Sequence, residues 1–443
     1  MNFELTEDQR AFAEMASGLF ADYCSDDQLR AHDVSGAPYM QDLWQQCVAS
    51  GLHTVLVPEA NGGLGLGMTE LMAVLEQQGR ALALVPLWET QVGAALLARF
   101  GAAALNPVTA HALTGEAPLA LSLDTLASPC GPTLQLTPAA GGWTLSGVAA
   151  AVPLGSVARY ALLPANAQGE TRMVVVDLAQ PGIQKTEGFS QHHQALADLT
   201  FNALSLSADH VLPAAATAWA EQYAIASLAA LQMGVTAQQL KRTVDYVSER
   251  QQFGRVIGSF QLVAGQMADG YIALEALRTS LWQLVYRLDA GLGAAPQAWA
   301  TRTLANDTGH RAGHMAQHVH GGIGVDLTYP IHRFMFWTRA LGAALGGTEH
   351  HLAKLGDWLA ESMTIPFLLR GMGFTKMEIG TVQKTTAMVA IIGALKTMNR
   401  SVPMPSATAS IRLAQGRDLT TTRRCWRAGR AAFTALILAS SLA

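Results

Sequence analysis

Residues 216–254 read ATAWAEQYAIASLAALQMGVTAQQLKRTVDYVSERQQFG. As far as Arg250 the run is long, free of proline and rich in Ala, Leu and Gln. These residues lose little side-chain freedom in a helix, so the run predicts one over Ala216–Arg250. Gln251-Gln252-Phe253-Gly254 ends it, because glycine punctuates a helical pattern. Two more long helical patterns follow, at 262–290 and 295–319. Long helices in series, joined by short turns, predict a helical bundle over 213–362.

Upstream the texture changes. Over 116–212, short apolar runs (Leu119–Leu123, Thr133–Leu136, Trp143–Leu145, Tyr160–Leu163, Met173–Val176, Ala203–Leu206) alternate with Gly, Pro, Asn and Asp clusters. That spacing predicts a small antiparallel β domain. Residues 1–115 read as helical again. Thr6-Glu7-Asp8-Gln9 opens like an N-cap with an acidic first turn. A second helix holds Leu43, Trp44, Cys47 and Val48 and ends at Gly51. After the loop Pro58–Gly67, Thr69 is expected to cap a helix that stops around Gly79. The class is therefore α+β, in the order helices, strands, helices.

The chain has 443 residues, of which 50% are apolar and 14% charged, with a net charge of −4. That composition supplies a sizeable core and excludes a disordered, collagen-like or coiled-coil chain. It gives no global basic bias towards nucleic acid. Cys24, Cys47, Cys130 and Cys425 lie far apart, as buried or free thiols of a reducing compartment do. No signal pattern or membrane-length apolar run is present, so a cytoplasmic location is expected. Residues 363–443 differ from the rest: they carry eleven Lys/Arg against two Asp/Glu and show no clear period. They read either as a poorly ordered extension or as a basic arm for an acidic partner.

Two turns stand out chemically. Arg250, Gln252, Phe253, Gly254 and Gln261 put a cation, amides, a ring and a glycine beside one corner. Such a corner suits a phosphorylated, ring-bearing ligand, since Arg forks onto phosphate and Gly admits the backbone. On chemistry alone, the plain reading of a helix–turn–helix with an exposed Arg is the stronger. His320-Gly321-Gly322-Ile323-Gly324 is a glycine turn whose N–H groups could cradle a pyrophosphate. Glycine also serves as an ordinary helix C-cap. His310, His314 and His318 share a helix face, but no HExxH glutamate accompanies them, and no metal is expected.

Together, the ordered set resembles the acyl-CoA dehydrogenase family over residues 1–362. It comprises Leu5-Thr6-Glu7-Asp8-Gln9, Val57-Pro58-Glu59 with Gly62-Gly63-Leu64-Gly65, Arg250 to Gly254 with Phe260-Gln261, and His320 to Gly324 with Tyr329-Pro330. The resemblance implies an N-terminal helical domain (1–115), a middle β domain (116–212) and a C-terminal four-helix bundle (213–362). It implies FAD, an acyl-CoA substrate desaturated between its α and β carbons, and an electron-transfer flavoprotein as acceptor. In such oligomers, one subunit's turns reach the ADP half of its mate's FAD. The resemblance assigns that role here to Arg250, Gln252, Phe253, Gln261, Gly321, Gly322 and Gly324.

The departures from the family fall on catalysis. The family's usual base, a Glu before Gly-Thr, is Gly346 here, and a second base position falls on Ala224. Glu221 and Glu349 are the nearest carboxylates. The flavin-side Trp-Ile-Thr segment is replaced by Val148-Ala149-Ala150-Ala151-Val152-Pro153. The usual Gly-Ser-Asp loop is not recognisable around Asp124–Gly131. The resemblance therefore implies a base-less subunit of a hetero-oligomer, similar to those of steroid side-chain acyl-CoA dehydrogenases. Its alternatives are a self-sufficient homo-oligomer with a displaced Glu base, or a flavin-free scaffold of the same fold.

Overall fold

The computed structural model describes residues 4–128 and 130–362. The expectations for 363–443 and for Cys425 lie outside the described residues. The chain divides into two compact units, Met1–His350 and His351–Ala443. Of the second, residues 351–362 are described and are helical.

Six helices open the first unit: α1 (Glu7–Tyr23), α2 (Asp26–Ser35), α3 (Gln41–Ala49), α4 (Met68–Ala81), α5 (Leu87–Phe100) and α6 (Asn106–Thr114). Thr6 caps α1 as its sequence predicts, in a reciprocal pair with Gln9, and Ser25 and Gln28 repeat the device on α2. The α4 terminus differs from expectation. The helix starts at Met68 with Gly67 as N-cap. The hydroxyl of Thr69 instead donates to Asp289 Oδ2 at 2.5 Å, and Asp289 Oδ1 accepts from Met68 N at 2.6 Å. Gly79 does not stop α4 either. A Cβ there would lie 2.2 Å from the Leu231 carbonyl oxygen, and one on Gly234 would lie 2.0 Å from that of Glu76. The two glycines let α4 and the long bundle helix meet backbone to backbone.

Seven strands form one sheet: β1 (Leu119–Leu121), β2 (Leu134–Ala139), β3 (Gly142–Pro153), β4 (Tyr160–Ala167), β5 (Glu170–Asp177), β6 (Ile183–Phe189) and β7 (Ala195–Ser207). The order is β1-β4-β2-β3-β7-β6, with β5 also on β4. Most pairs are antiparallel; β4 runs parallel to β1 and β2. Alternation divides the buried side chains between two cores. On β4 and β5, Leu163, Val174 and Val176 enter a core internal to the sheet, while Leu162, Met173 and Val175 face the helices. Both faces are covered, so these strands read as continuous apolar runs.

The bundle follows: α7 (Ala214–Glu249), α8 (Gln261–Asp289), α9 (Ala295–His320) and α10 (Ile331–Ala343); a further helix, α11 (Gly347–Ser362), runs from the first unit into the second. Helix α7 packs on α8, α9 and α10, and α9 on α8 and α10. The hairpin β8 (Gln251–Gln252) and β9 (Arg255–Val256) joins α7 to α8. The bundle shares its core with α1–α6. No described helix is long and apolar enough to cross a membrane.

Candidate functional site

The up-down course of α7, α8 and α9 carries both sequence-marked turns to one end of the bundle. Two stacked rings show this directly: Tyr246, near the end of α7, lies face to face with His320, the last residue of α9, at 4.2 Å. Tyr329 lies tilted against His320 at 5.4 Å and edge-on to Tyr246 at 6.4 Å. Tyr246 carries no motif, so the sequence did not mark it. His320 Nδ1 bonds the Ala316 carbonyl at 2.8 Å, and its buried Nε2 has no partner.

The first turn is a tight hairpin. Phe253 (φ 54) and Gly254 (φ 76) occupy its two central positions, and both have the positive φ that a type I′ turn demands. Positive φ costs a phenylalanine conformational energy, and the turn spends it on holding the ring out in solvent, 92% exposed. Arg250, Gln252 and Gln261 are exposed on the same corner. Arg255 stacks on Phe260 at 4.1 Å and so stiffens the corner. In the second turn, Gly321 has φ 63 and ψ −137, and its N–H is already taken by the Gln317 and His318 carbonyls. Gly321 and Gly322 are exposed, whereas Gly324 is buried, so Gly321 and Gly324 are poorly placed to offer N–H groups to a ligand. His310, His314 and His318 line the outer face of α9, with the first two rings 4.5 Å apart.

A second locus lies where α5, the sheet and α10 meet. A cavity of about 80 Å3 is lined there by Glu89, Asp124, Pro153, Gln194, Trp337 and Leu345, among others. Glu221, Glu349 and Ala224 do not line it. Ala224 is buried in the helical core and Glu349 is exposed. Gly346 (φ 81) has no room for a side chain: a Cβ would stand 2.2 Å from the Cβ of Ala127. The turn Asp124–Ala127 is held there because Leu345 N donates to Asp124 Oδ1 at 2.7 Å. Leu345 itself adopts φ 56, which bends the chain after α10.

Buried charge surrounds the cavity. Arg302, 0% exposed, caps the end of α10 by donating to the Leu341 and Ala344 carbonyls. Burial lowers its pKa to about 10, against the pull of Asp124. Burial likewise raises the Asp124 carboxyl, while Leu345 N and Arg302 pull it back. Glu89 is only 2% exposed. Burial pushes its carboxyl up to about 7, although weaker bonds from its own backbone and from Gln194 pull the other way. Oε1 accepts from Gln194 Nε2 at 2.9 Å, and Oε2 makes no well-formed hydrogen bond. Glu89 and Asp124 are the carboxylates that the sequence did not single out, because only burial distinguishes them from other acids.

On the sheet side, β3 is bulged against β7 between Ala149 and Val152. Ala151 sits there at φ 50, with its N–H bonded to Asp198 Oδ1 at 2.7 Å. That donor is used internally, and Pro153 supplies none.

Family models match two stretches of the chain. The acyl-CoA dehydrogenase N-terminal domain matches residues 6–107, and the acyl-CoA dehydrogenase C-terminal domain matches residues 222–360. Acyl-CoA dehydrogenase FadE27 of Mycobacterium tuberculosis is 31% identical over 373 residues, covering 82% of this chain and 100% of that one. The ChsE4-ChsE5 complex of the same organism contains a chain with TM-score 0.78 at 30% identity, covering 82% of this chain and all of that one. A variant of the Tcur3481-Tcur3483 steroid ACAD gives 0.76 at 35% identity, covering 80% and 98% respectively.

Proposed function

The chain belongs to the acyl-CoA dehydrogenase family of FAD-dependent oxidoreductases acting on CH–CH bonds, and we propose that it is the base-less subunit of a hetero-oligomer in that family. In this reading a second dehydrogenase subunit holds the flavin ring and supplies the base. This chain grips the ADP half of that subunit's FAD. The substrate is a bulky, steroid-type acyl-CoA, in keeping with a similar structure described as a steroid ACAD and another described as a two-component complex.

The observation that carries the reading is the closed state of the chain's own locus. A site for a molecule of drug or cofactor size spans about 300–1,000 Å3, whereas this cavity is about 80 Å3. Ala127 packs where a base at Gly346 would start. The residues present there therefore do not fit a flavin ring with its substrate. The exposed corner does fit the nucleotide end. Arg250 offers forked donors to phosphate oxygens, Phe253 offers a ring face, and Gln252 and Gln261 offer amides. Bound there, FAD would supply the acceptor for the hydride lost from the substrate, with an electron-transfer flavoprotein as the onward acceptor. The exposed side chains Leu262, Tyr271 and Ile272 on α8, with Val325 and Leu327 after the glycine turn, leave apolar area for a second subunit to cover.

The test is co-expression with a base-bearing acyl-CoA dehydrogenase, with and without Arg250→Ala. The complex should stay assembled while FAD binding weakens by about 1.5–3 kcal/mol, the scale of a hydrogen bond to a charged group. Unchanged flavin affinity would remove Arg250 from the site. Turnover by the chain alone, lost on Glu89→Gln, would instead establish a self-sufficient enzyme with a displaced base.

A further inference from the structure

A groove of about 710 Å3 opens between α1, α4, α7 and α10. It shares no lining residue with the two turns or with the 80 Å3 cavity. Its volume falls in the ordinary range for a small-molecule site. Its apolar lining comes from Phe20, Leu29, Leu82 and Phe334, all buried.

Four cations also line it: Arg80, Lys241, Arg242 and Arg333. Among the described residues, Asp26 is its only acidic lining residue, and both of its oxygens are held by Arg242, at 2.9 and 3.0 Å. The other three cations pair with Glu76, Asp245 and Asp33, none of which lines the groove. These ion pairs fix the cationic side chains in place without consuming all their donors. A guanidinium has five N–H groups. Arg333 uses Nε on Asp33 at 2.8 Å, and its Nη1 is buried without a partner in a residue only 7% exposed. Arg242 lies over the Phe334 ring at 5.5 Å, which brings charge and apolar surface together.

We propose that this groove binds an amphiphilic anion, one carboxylate or phosphate head on an apolar body. The head meets Arg333, Arg242, Arg80 and Lys241, and the body lies on Phe20, Leu29, Leu82 and Phe334. Head and body both contribute: the cations alone would select any anion, and the apolar lining alone would select any hydrocarbon.

Titration calorimetry on the full chain, with no flavin added, tests the idea using dodecanoate, dodecyl phosphate and dodecanol. Both anions should saturate one site per chain, with dodecanol weaker by about tenfold or more. The tighter of the two anions identifies the head. Ala21→Trp, at an exposed groove position on α1, should abolish binding by filling the space. Lys241→Glu, at the rim, should weaken it severalfold and flatten its salt dependence. No saturable binding, equal binding of dodecanol, or binding unchanged by Ala21→Trp would overturn the proposal. The result is independent of the flavin-sharing reading, since the measurement needs neither FAD nor a partner chain.

Discussion

Replacing Glu89 with glutamine removes one titrating group from the closed cavity and keeps the acceptor that Gln194 uses. Burial raises this carboxyl from 4.5 to about 7 in the folded chain. Below pH 4.5 it is protonated in both folded and unfolded chains and costs nothing. Between 4.5 and 7 the unfolded chain ionises first, so folding loses stability with each step of pH. Above 7 the loss is complete. At about 1.36 kcal/mol per pH unit, it reaches about 3 kcal/mol. Glutamine does not titrate, so the variant escapes this loss. Its new Nε2 replaces the unpartnered Oε2 and adds a desolvation cost, but that cost does not depend on pH. The difference in unfolding free energy, Glu89→Gln minus wild type, should therefore rise by about 3 kcal/mol from pH 4.5 to pH 8. Urea unfolding at a series of pH values measures it directly. Other shifted groups, such as Asp124, are present in both proteins and cancel. Parallel stability curves would refute the reasoning, because they would mean that water or a counter-charge already solvates Glu89.

Gly346→Ala forces a Cβ against Ala127 at a positive φ, and should destabilise the chain by about 2 kcal/mol or more in urea. An unchanged midpoint would show that the Asp124–Ala127 turn is not packed there. Arg302→Ala uncaps α10 and removes the cation that draws the Asp124 carboxyl down. The lost bonds to the two carbonyls predict a loss of about 3 kcal/mol by the same assay, and a loss below about 1 kcal/mol would show that water already satisfies those carbonyls.

The long helices were legible because nothing in 216–250 opposes a helix, and the capping pair at Thr6 and Gln9 is local. Gly79 was misread as a stop because a glycine that ends a helix and one that admits a neighbouring backbone look the same in a single chain. The Leu231 and Glu76 carbonyls that decide the matter lie on opposite helices. Strand β6 was missed because Ile183–Phe189 is almost wholly exposed and polar, as an edge strand is, and so lacks an apolar rhythm. That position 346 carries glycine and no carboxylate was readable from its place before Gly347-Thr348. The reason no side chain fits there was not, since Ala127 and Asp124 reach it only through tertiary packing. Glu89 was invisible for the same reason: its chemistry comes from burial, and its neighbour Gln194 arrives from the sheet.

The central claim is that this chain shares a flavin and seats none of its own. Flavin absorbance per chain, measured on the purified chain alone and on the chain co-purified with a base-bearing subunit, decides it. The account predicts no bound flavin in the first sample and half as many flavins as chains in the second. One flavin for every chain in the isolated protein, with acyl-CoA turnover, would contradict it.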